Sequence, residues 1–424
     1  MPSIGYDAAR ELTERFESRL LARLEDGVSR RAVLGGAGTL GAAALGATGS
    51  AGANGDHGGG SDEDHHGKFG AAREYDDDGF DPHEFLGEFE TGELLGATDA
   101  DGRRIREFEL DARDVPIEIA PGVSFTAWAY NGQVPGPTLR AMEGERIRVK
   151  FTNRGSHAHT IHPHLRNLDP AEDGIPQNGP GVLETDESYE YEWIAQPAGC
   201  HFYHCHSLPL KEHIHRGLYG ALIVDPDPER VRENPAAYTN HHASQITPEL
   251  EDELVARARS RNELPEYEYR GVHDYTDHDG VNEMVMVMNG FDTNFDGDNE
   301  VYAANTRAFA YGVGSTDGKG NWEAGETKKP IRIDRNELQR VYLLNTIEFD
   351  LINSFHTHSQ FFDYYDHGTT LTPTHKTIDT IMQCQAQRGI VELDYSDHGS
   401  GLYMFHAHQS EFAELGWMSF FEVV

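Results

Sequence analysis

Four short stretches of the chain each contain two histidines separated by one residue. In a β-strand, residues i and i+2 face the same side, so each pair can direct two imidazoles at one place. A satisfied core histidine is the ordinary explanation for one such residue, but not for eight with the same spacing. The pattern therefore predicts a cluster of metal ions. The four pairs are His162 and His164, His204 and His206, His356 and His358, and His406 and His408.

A thiolate adds a second kind of ligand, because Cys205 lies inside one of these pairs. A mononuclear electron-transfer copper takes two imidazoles and a thiolate, with a weak or absent axial ligand that tunes its potential. We predict that His159 and His213 complete this set, with His215 as the alternative to His213. Leu218 stands at the axial position, where an aliphatic side chain should leave the copper three-coordinate and raise its potential.

The segments that carry these side chains alternate apolar and polar residues, with glycine and proline turns between them. Period-two alternation with frequent turns is typical of β-sandwiches. The pattern occurs in residues 106–225 and again in 281–424, and a polar linker at 226–280 with a short predicted helix separates the two regions. Each region repeats the order of a strand, a histidine pair, an aromatic run and a second histidine pair. We therefore predict an all-β fold of two sandwich domains.

The first 105 residues are expected to lie outside these domains. Ser29-Arg30-Arg31-Ala32-Val33-Leu34 is a twin-arginine pattern, followed by an apolar run and a small-residue site near Ala53. We predict that residues 1–53 are a twin-arginine signal peptide and that the protein is extracellular or at the cell surface. The apolar run is short for a membrane span, and an uncleaved anchor is the alternative. Residues 54–105 are acidic and rich in His and Gly, which predicts disorder.

Acidic residues dominate the composition. The chain has 72 acidic and 35 basic residues and a net charge of −37, which disfavours binding to nucleic acid. Because the acidic residues are scattered along the chain, we interpret them as the surface of a halophilic, salt-adapted protein. Three cysteines are too few for a disulfide framework. We expect Cys200 and Cys384 to be free thiols, with a disulfide between them as the alternative.

Several motifs resemble those of the multicopper oxidases, and among them the two-domain, laccase-like group. The motifs are Tyr130-Asn131-Gly132-Gln133-Val134-Pro135-Gly136-Pro137, His162-Pro163-His164, Asp173-Gly174, Ala198-Gly199 with Tyr203-His204-Cys205-His206, and Tyr403-Met404-Phe405-His406-Ala407-His408. The resemblance covers residues 106–424 and implies two cupredoxin-like Greek-key domains. It also implies four coppers per chain. By this resemblance, a type 1 copper would take electrons from a phenolic or metal-ion donor, and a trinuclear cluster of one type 2 and two type 3 coppers would reduce dioxygen to water.

The second domain departs from the type 1 pattern. Asn353 stands at the place that matches His159, and Ala407 stands at the place that matches Cys205. The resemblance is therefore to the subgroup whose type 1 copper lies in the first domain alone. In similar two-domain proteins the trinuclear cluster forms between neighbouring subunits of a ring, so we predict a homotrimer.

Reduction of dioxygen to water also needs protons, so carboxylates are expected near the cluster. Asp173 resembles the acid that lies close to the cluster in this family, and Glu411 is a second candidate. An ordinary surface carboxylate is the alternative for both residues in so acidic a chain.

The copper nitrite reductases are the nearest rival interpretation, because they share the two-domain trimer and resemble Gly217-Leu218-Tyr219-Gly220-Ala221 and Phe412-Ala413-Glu414-Leu415-Gly416. Their catalytic Asp position is His162 here, and their catalytic His position is Asn353. A mononuclear type 2 site also does not need His206, His358 and His408 as ligands, so their presence favours the oxidase. A copper-binding electron carrier without turnover is the third interpretation.

Overall fold

The computed structural model describes residues 80–312 and 330–424, together with residues 10, 13–15 and 18. The twin-arginine motif, the predicted cleavage site near Ala53 and residues 54–79 lie outside the described residues. In the part of the chain that is described, no helix is both long enough and apolar enough to cross a membrane. β-Strands dominate this part and form two sandwich domains, as predicted, with a helical linker between them.

The first domain consists of nine strands and two short helices within the described residues. The strands are β1 (Glu93–Thr98), β2 (Arg104–Ala120), β3 (Val123–Tyr130), β4 (Gly136–Met142), β5 (Arg146–Asn153), β6 (His162–Pro163), β7 (Ser188–Ile194), β8 (Gly199–His204) and β9 (Tyr219–Asp225). The helices are α1 (Pro82–Gly87) and α2 (Leu210–His215). One sheet has the order β1-β2-β5-β7, with β3 paired to β2, and the other has the order β4-β9-β8-β6. The parallel pairs β2–β5 and β4–β9 require the chain to cross between the sheets.

The linker and the second domain follow. The linker contains α3 (Pro228–Glu233) and α4 (Pro248–Ser260), and the side chain of Thr247 caps α4. The strands of the second domain are β10 (Gly280–Phe291), β11 (Val301–Ala304), β12 (Ile331–Ile333), β13 (Glu337–Asn345), β14 (Ile352–Thr357), β15 (Phe362–Asp366), β16 (His375–Ile378), β17 (Thr380–Cys384), β18 (Arg388–Leu393), β19 (Gly401–His406) and β20 (Met418–Val423), and its helix is α5 (Ser410–Glu414). Its sheets have the orders β11-β10-β13-β18-β15-β16 and β12-β20-β19-β14-β17.

Strand β8 lies between two hydrophobic cores, because alternate side chains on a strand face opposite sides. Tyr203 packs into a core confined to the first domain. Cys200 and Phe202 pack into a core that continues into the second domain. Burial of apolar side chains on both faces holds β8, and therefore His204 at its end, firmly in place.

Buried ion pairs join the two domains. Arg140 Nε lies 2.9 Å from Asp225 Oδ2, and Arg140 Nη1 lies 2.7 Å from Glu283 Oε2 of the second domain. Arg340 contacts Glu283 at 3.0 Å and Glu392 at 2.9 Å. Removal of one member of a buried pair typically costs about 3–5 kcal/mol, because the other charge is then buried without a partner. Of these pairs, Arg140–Glu283 crosses from the first domain to the second, and it therefore helps to fix the orientation of the domains.

The prediction of disorder for residues 54–105 is wrong for its described part, residues 80–105, which contains α1, β1 and the start of β2. The carboxylate of Asp81 caps α1 by accepting a hydrogen bond from the amide of His83 (2.8 Å). Phe85 and Leu86 are buried in the core that both domains share, and β1 is antiparallel to β2. The acidic composition predicted disorder, but two apolar side chains and a helix cap are enough to anchor this segment to a preformed core.

Candidate metal centre

Cys205, His159 and His213 converge in the interior of the first domain. Cys205 follows β8, His213 lies in α2, and His159 forms an isolated bridge with Leu183. The Cys205 Sγ atom lies 3.3 Å from His213 Nδ1 and 3.9 Å from His159 Nδ1, and the two Nδ1 atoms are 3.2 Å apart. The three side chains are at most 3% exposed. A sulfur and two imidazole nitrogens that share one small buried space fit a mononuclear copper.

Burial controls the protonation of these ligands. It lowers the pKa of His159 to about 3 and that of His213 to about 4, so both imidazoles are neutral at pH 7. It also raises the pKa of the Cys205 thiol. The amide of Thr160 lies 3.4 Å from the sulfur and donates to it, which favours the thiolate. A metal ion that binds here must displace the thiol proton, so binding should release a proton.

The structure places His213 beside Cys205 and turns His215 away. His215 faces the second domain, where its Nε2 accepts a hydrogen bond from the amide of Asp292 (3.0 Å). Leu218 is fully buried in the same core as Cys205. The Cys205 amide donates to the Leu218 carbonyl (3.0 Å), and the Leu218 amide donates to the His213 carbonyl (3.2 Å). These two hydrogen bonds fix the turn that carries His213 relative to the cysteine.

Sequence reasoning missed Trp128, which covers this site. The Trp128 ring centroid lies 4.7 Å from that of His213 and 5.4 Å from that of His159. The Arg216 guanidinium lies 4.8 Å from the Trp128 ring centroid. Trp128 is buried, so its ring screens the imidazoles from water. The sequence offers little signal for this role, because Trp128 is one of several aromatic residues in β3.

The first-domain histidine pairs converge as a second group. The pairing of β6 with β8 sets His162 opposite His204. The Nε2 atoms of His164 and His204 are 3.1 Å apart, and the ring centroids of His162 and His206 are 5.3 Å apart. His204 Nδ1 donates to the Cys205 carbonyl (2.8 Å), which leaves the Nε2 lone pair free for a metal.

The second-domain pairs repeat this arrangement. The pairing of β14 with β19 sets His356 opposite His406. The Nε2 atoms of His358 and His406 are 3.0 Å apart, and the ring centroids of His356 and His408 are 4.9 Å apart. His406 Nδ1 donates to the Ala407 carbonyl (2.6 Å). We call these two sets of four histidines the first-domain half-site and the second-domain half-site.

The two half-sites are separate within one chain. Among the described residues, no hydrogen bond or ring contact joins a histidine of one half-site to a histidine of the other. Large apolar side chains lie exposed close to them in sequence. Leu208 follows the first-domain pair and is 71% exposed, and Leu351 precedes the second-domain pair and is 89% exposed.

A carboxylate accompanies each half-site. Asp173 accepts a hydrogen bond from His162 Nδ1 through its carbonyl (2.7 Å), and its Oδ1 lies 3.3 Å from the same nitrogen. Sequence reasoning missed Asp379, whose carbonyl accepts from His356 Nδ1 (2.8 Å) and whose Oδ2 lies 4.0 Å from that nitrogen. No motif marks Asp379, because it lies 23 residues from His356 and reaches it through strand pairing. Glu411 lies in the first turn of α5.

Apolar side chains fill the place in the second domain that corresponds to the mononuclear site. The Ala407 amide donates to the Trp417 carbonyl (3.1 Å), and the Trp417 amide donates to the Phe412 carbonyl (2.9 Å). These hydrogen bonds match those of Cys205, Leu218 and His213, so Phe412 replaces the histidine and Trp417 replaces the leucine. Trp417 is fully buried, and its Nε1 donates to the Ser354 carbonyl (3.2 Å). In its described residues, the second domain thus has neither the ligands nor the space for a metal ion at this place.

Comparison with known proteins identifies the family. Residues 111–229 and residues 292–424 match two family models, each described as multicopper oxidase. A solved multicopper oxidase structure is 40% identical, with a TM-score of 0.62, and the match covers 81% of this chain and 97% of that one. Copper resistance protein A of Pseudomonas syringae pv. tomato is 32% identical over 180 residues, which is 42% of this chain and 28% of that protein. The copper nitrite reductase of Nitrosomonas europaea, at 19% identity and a TM-score of 0.55 over 76% of this chain and 94% of that one, shares the fold.

Two β-sandwiches, a Cys and two His around one point, and two matched groups of four histidines define a cupredoxin-like copper protein. The chain belongs to the multicopper oxidase family, which confirms the resemblance that the motifs indicated. Membership of this family implies an oxidoreductase that uses copper.

Proposed function

We propose that the chain is a laccase-like oxidase that couples one-electron oxidation of a phenolic or metal-ion donor to four-electron reduction of dioxygen to water. In this proposal His159, Cys205 and His213 hold a type 1 copper, and the two half-sites together hold one type 2 and two type 3 coppers. The observation that carries the proposal is the matched geometry of eight histidines, which exceeds the needs of a mononuclear second site. Bound copper would supply the redox chemistry with both donor and dioxygen.

The residues of the chain account for electron and proton movement. Cys205 adjoins His204 and His206 in sequence, so a short covalent path joins the type 1 thiolate to the cluster ligands. The hydrogen bond from His204 Nδ1 to the Cys205 carbonyl offers a second path. Asp173 holds the ring of His162, and its carboxylate is placed to move protons toward the cluster.

We also propose that the cluster forms between subunits of a homotrimer, with the first-domain half-site of one copy against the second-domain half-site of the next. The separation of the half-sites within one chain supports this proposal. A neighbouring copy in this arrangement would also cover the exposed side chains of Leu208 and Leu351, which lie close in sequence to the half-sites. A head-to-tail contact that closes into a ring gives each subunit the same share of the cluster.

Complementation between subunits tests both proposals. His206→Ala impairs the first-domain half-site, and His408→Ala impairs the second-domain half-site, so each variant alone should lose dioxygen consumption. Co-expressed with different tags, the two variants should recover about one quarter of wild-type activity, because random mixing leaves one intact cluster in most trimers. If the cluster lay within one chain, no mixed trimer would contain an intact cluster, and activity would stay absent.

The same variants separate the oxidase from the nitrite reductase. His408→Ala should abolish dioxygen consumption, whereas a nitrite reductase with a mononuclear second site should lose little activity toward nitrite. An electron carrier would show the type 1 absorption but no turnover with either acceptor.

Export by the twin-arginine route and adaptation to salt complete the proposal. The net charge of −37 supports a surface that high salt screens. The N-terminal sequence of the exported protein should begin near residue 54, and replacement of Arg30 and Arg31 by lysine should leave the protein inside the cell. An N-terminus upstream of the apolar run would indicate a retained anchor instead.

A further inference from the structure

A buried arginine of the second domain reaches the first-domain half-site. Arg388 begins β18, and its guanidinium crosses to β8, where Nε donates to the carbonyl of Cys200 (3.1 Å). Nη1 donates to the carbonyl of Ala386 (3.2 Å), within its own domain. The residue is 9% exposed. Arg388 is therefore part of the interface between the domains of one chain.

The remaining donors of Arg388 face imidazoles. Nη1 lies 3.4 Å from Nδ1 of His164, and Nη2 lies 3.4 Å from Nδ1 of His201. The guanidinium carbon lies 5.7 Å from the ring centroid of Phe202. The ring centroid of Phe202 in turn lies 4.2 Å from that of His164. The Phe202 ring also stacks on the His204 ring, with 5.3 Å between the two centroids. Two histidines of the half-site thus contact Arg388 directly or through one aromatic ring.

The charge of Arg388 lacks the carboxylate counter-ions that Arg140 and Arg340 have. Arg140 and Arg340 are each paired with two carboxylates. Among the described residues, no carboxylate lies within 4.0 Å of the Arg388 guanidinium, and burial lowers its pKa. A buried charge without a partner costs several kcal/mol. An uncharged residue could hold the carbonyls of Cys200 and Ala386 without that cost, so the positive charge beside the histidines requires its own explanation.

We propose that Arg388 is a positioning residue of the first-domain half-site, which holds the ring of Phe202 against His164 and His204 and raises the reduction potential of the copper that this half-site would bind. The inference rests on the proposed function. A fixed positive charge next to a ligand disfavours Cu(II) more than Cu(I), because the oxidised ion carries the greater charge. The electron that arrives through Cys205 would then be held more readily at the cluster.

Two substitutions in the full-length, copper-loaded protein separate charge from packing. Arg388→Gln keeps a hydrogen-bond donor for the Cys200 carbonyl but removes the charge. Arg388→Lys keeps the charge but removes the planar guanidinium group. Arg257 supplies the control, because its guanidinium contacts the Tyr365 hydroxyl and the Glu253 carboxylate and, among the described residues, makes no hydrogen bond to a half-site histidine. We expect Arg388→Gln to raise the Cu(II)/Cu(I) ratio of the cluster about tenfold at the wild-type midpoint potential. Arg388→Lys should restore most of the wild-type value, and Arg257→Gln should not change it.

The type 1 potential and a metal-free measurement complete the test. The type 1 midpoint should stay unchanged in all three variants. In the metal-free protein with ¹⁵N-labelled histidine, Arg388→Gln should shift the imidazole resonances of His164 and His201, whereas Arg257→Gln should not. Unchanged resonances and an unchanged cluster potential would overturn the proposal. If the wild-type protein bound no coupled copper pair, the proposed function would fail, and the metal-free resonances would still decide whether Arg388 holds Phe202 against His164.

Discussion

Cys205 has the most specific role among the residues of the proposed type 1 site. Cys205→Ser should abolish the intense visible absorption that a thiolate gives to bound copper and should remove about one copper per chain, because a hydroxyl is a poor ligand for this metal. Absorption spectra and metal analysis of the purified variant would measure both effects.

The control for this substitution is Cys200→Ser. Cys200 is also fully buried, and burial raises the pKa of its thiol to about 12, but its backbone faces the second domain. This variant should keep the visible absorption. Loss of the absorption in Cys200→Ser, or its retention in Cys205→Ser, would place the copper elsewhere.

Leu218 offers a finer test of the same site. Leu218→Met nearly conserves volume in a packed core, so the fold should tolerate it. The thioether would supply a weak axial ligand, and we expect the type 1 reduction potential to fall. A redox titration of the visible absorption would measure the change. No change would mean that residue 218 does not face the copper.

Ligand types and spacings could be predicted at this scale, because His-x-His and the flanked cysteine are local patterns. The choice between His213 and His215 could not, because it depends on how α2 turns against the second domain. The same holds for Asp379, which strand pairing brings to His356 from a distant part of the sequence. Arg388 was missed because its role arises at a contact between domains.

At the scale of elements, the turn from α5 to β20 repeats the turn from α2 to β9 without its ligands. Trp417→Ala should open a cavity where Trp417 now packs against Phe355 and Phe405. We expect the free energy of unfolding to fall by about 3–5 kcal/mol, as for other large core deletions. Urea denaturation would measure this change.

The type 1 absorption serves as the internal control for Trp417→Ala, because Trp417 lies in the other domain. A decrease in the free energy of unfolding of less than about 1 kcal/mol would mean that the surrounding core relaxes to fill the cavity. A loss of visible absorption would mean that the second domain contributes to the type 1 site.

Period-two patterning predicted the strands and the two-domain repeat, since alternate burial is a local property of each strand. It could not predict α1 or β1, because Phe85 and Leu86 gain their burial from a core built largely by later strands. Composition alone predicted disorder for residues 80–105, although the structure shows them folded.

At the scale of the whole molecule, the buried histidines should make the metal-free protein sensitive to acid. Burial lowers the pKa of His159 and His204 to about 3 and that of His406 to about 4. Since unfolded histidine titrates near 6.5, the unfolded state binds more protons below that pH, so stability falls as the pH drops. Between pH 7 and pH 5 we expect a loss of at least about 2 kcal/mol in urea denaturation.

His204→Asn supplies the control, because asparagine does not titrate. Its free energy of unfolding should fall less between pH 7 and pH 5 than that of the metal-free parent protein. Equal losses in the two proteins would mean that His204 does not contribute to the acid sensitivity.

Assembly is the property of the whole molecule on which the proposed reaction depends. One chain brings Cys205, His159 and His213 together, whereas its described residues hold the eight paired histidines as two groups of four with no hydrogen bond or ring contact between the groups. Neither the histidine spacing nor the described fold of one chain brings these two groups together, so the proposed cluster requires more than one copy.

Copper content and electron paramagnetic resonance of the mature, copper-loaded protein would test for the trinuclear cluster. We expect about four coppers per chain, of which about two are visible in the spectrum and two form a coupled, silent pair. About two coppers per chain, both visible in the spectrum, would contradict the trinuclear cluster. That result would favour a nitrite reductase or an electron carrier instead.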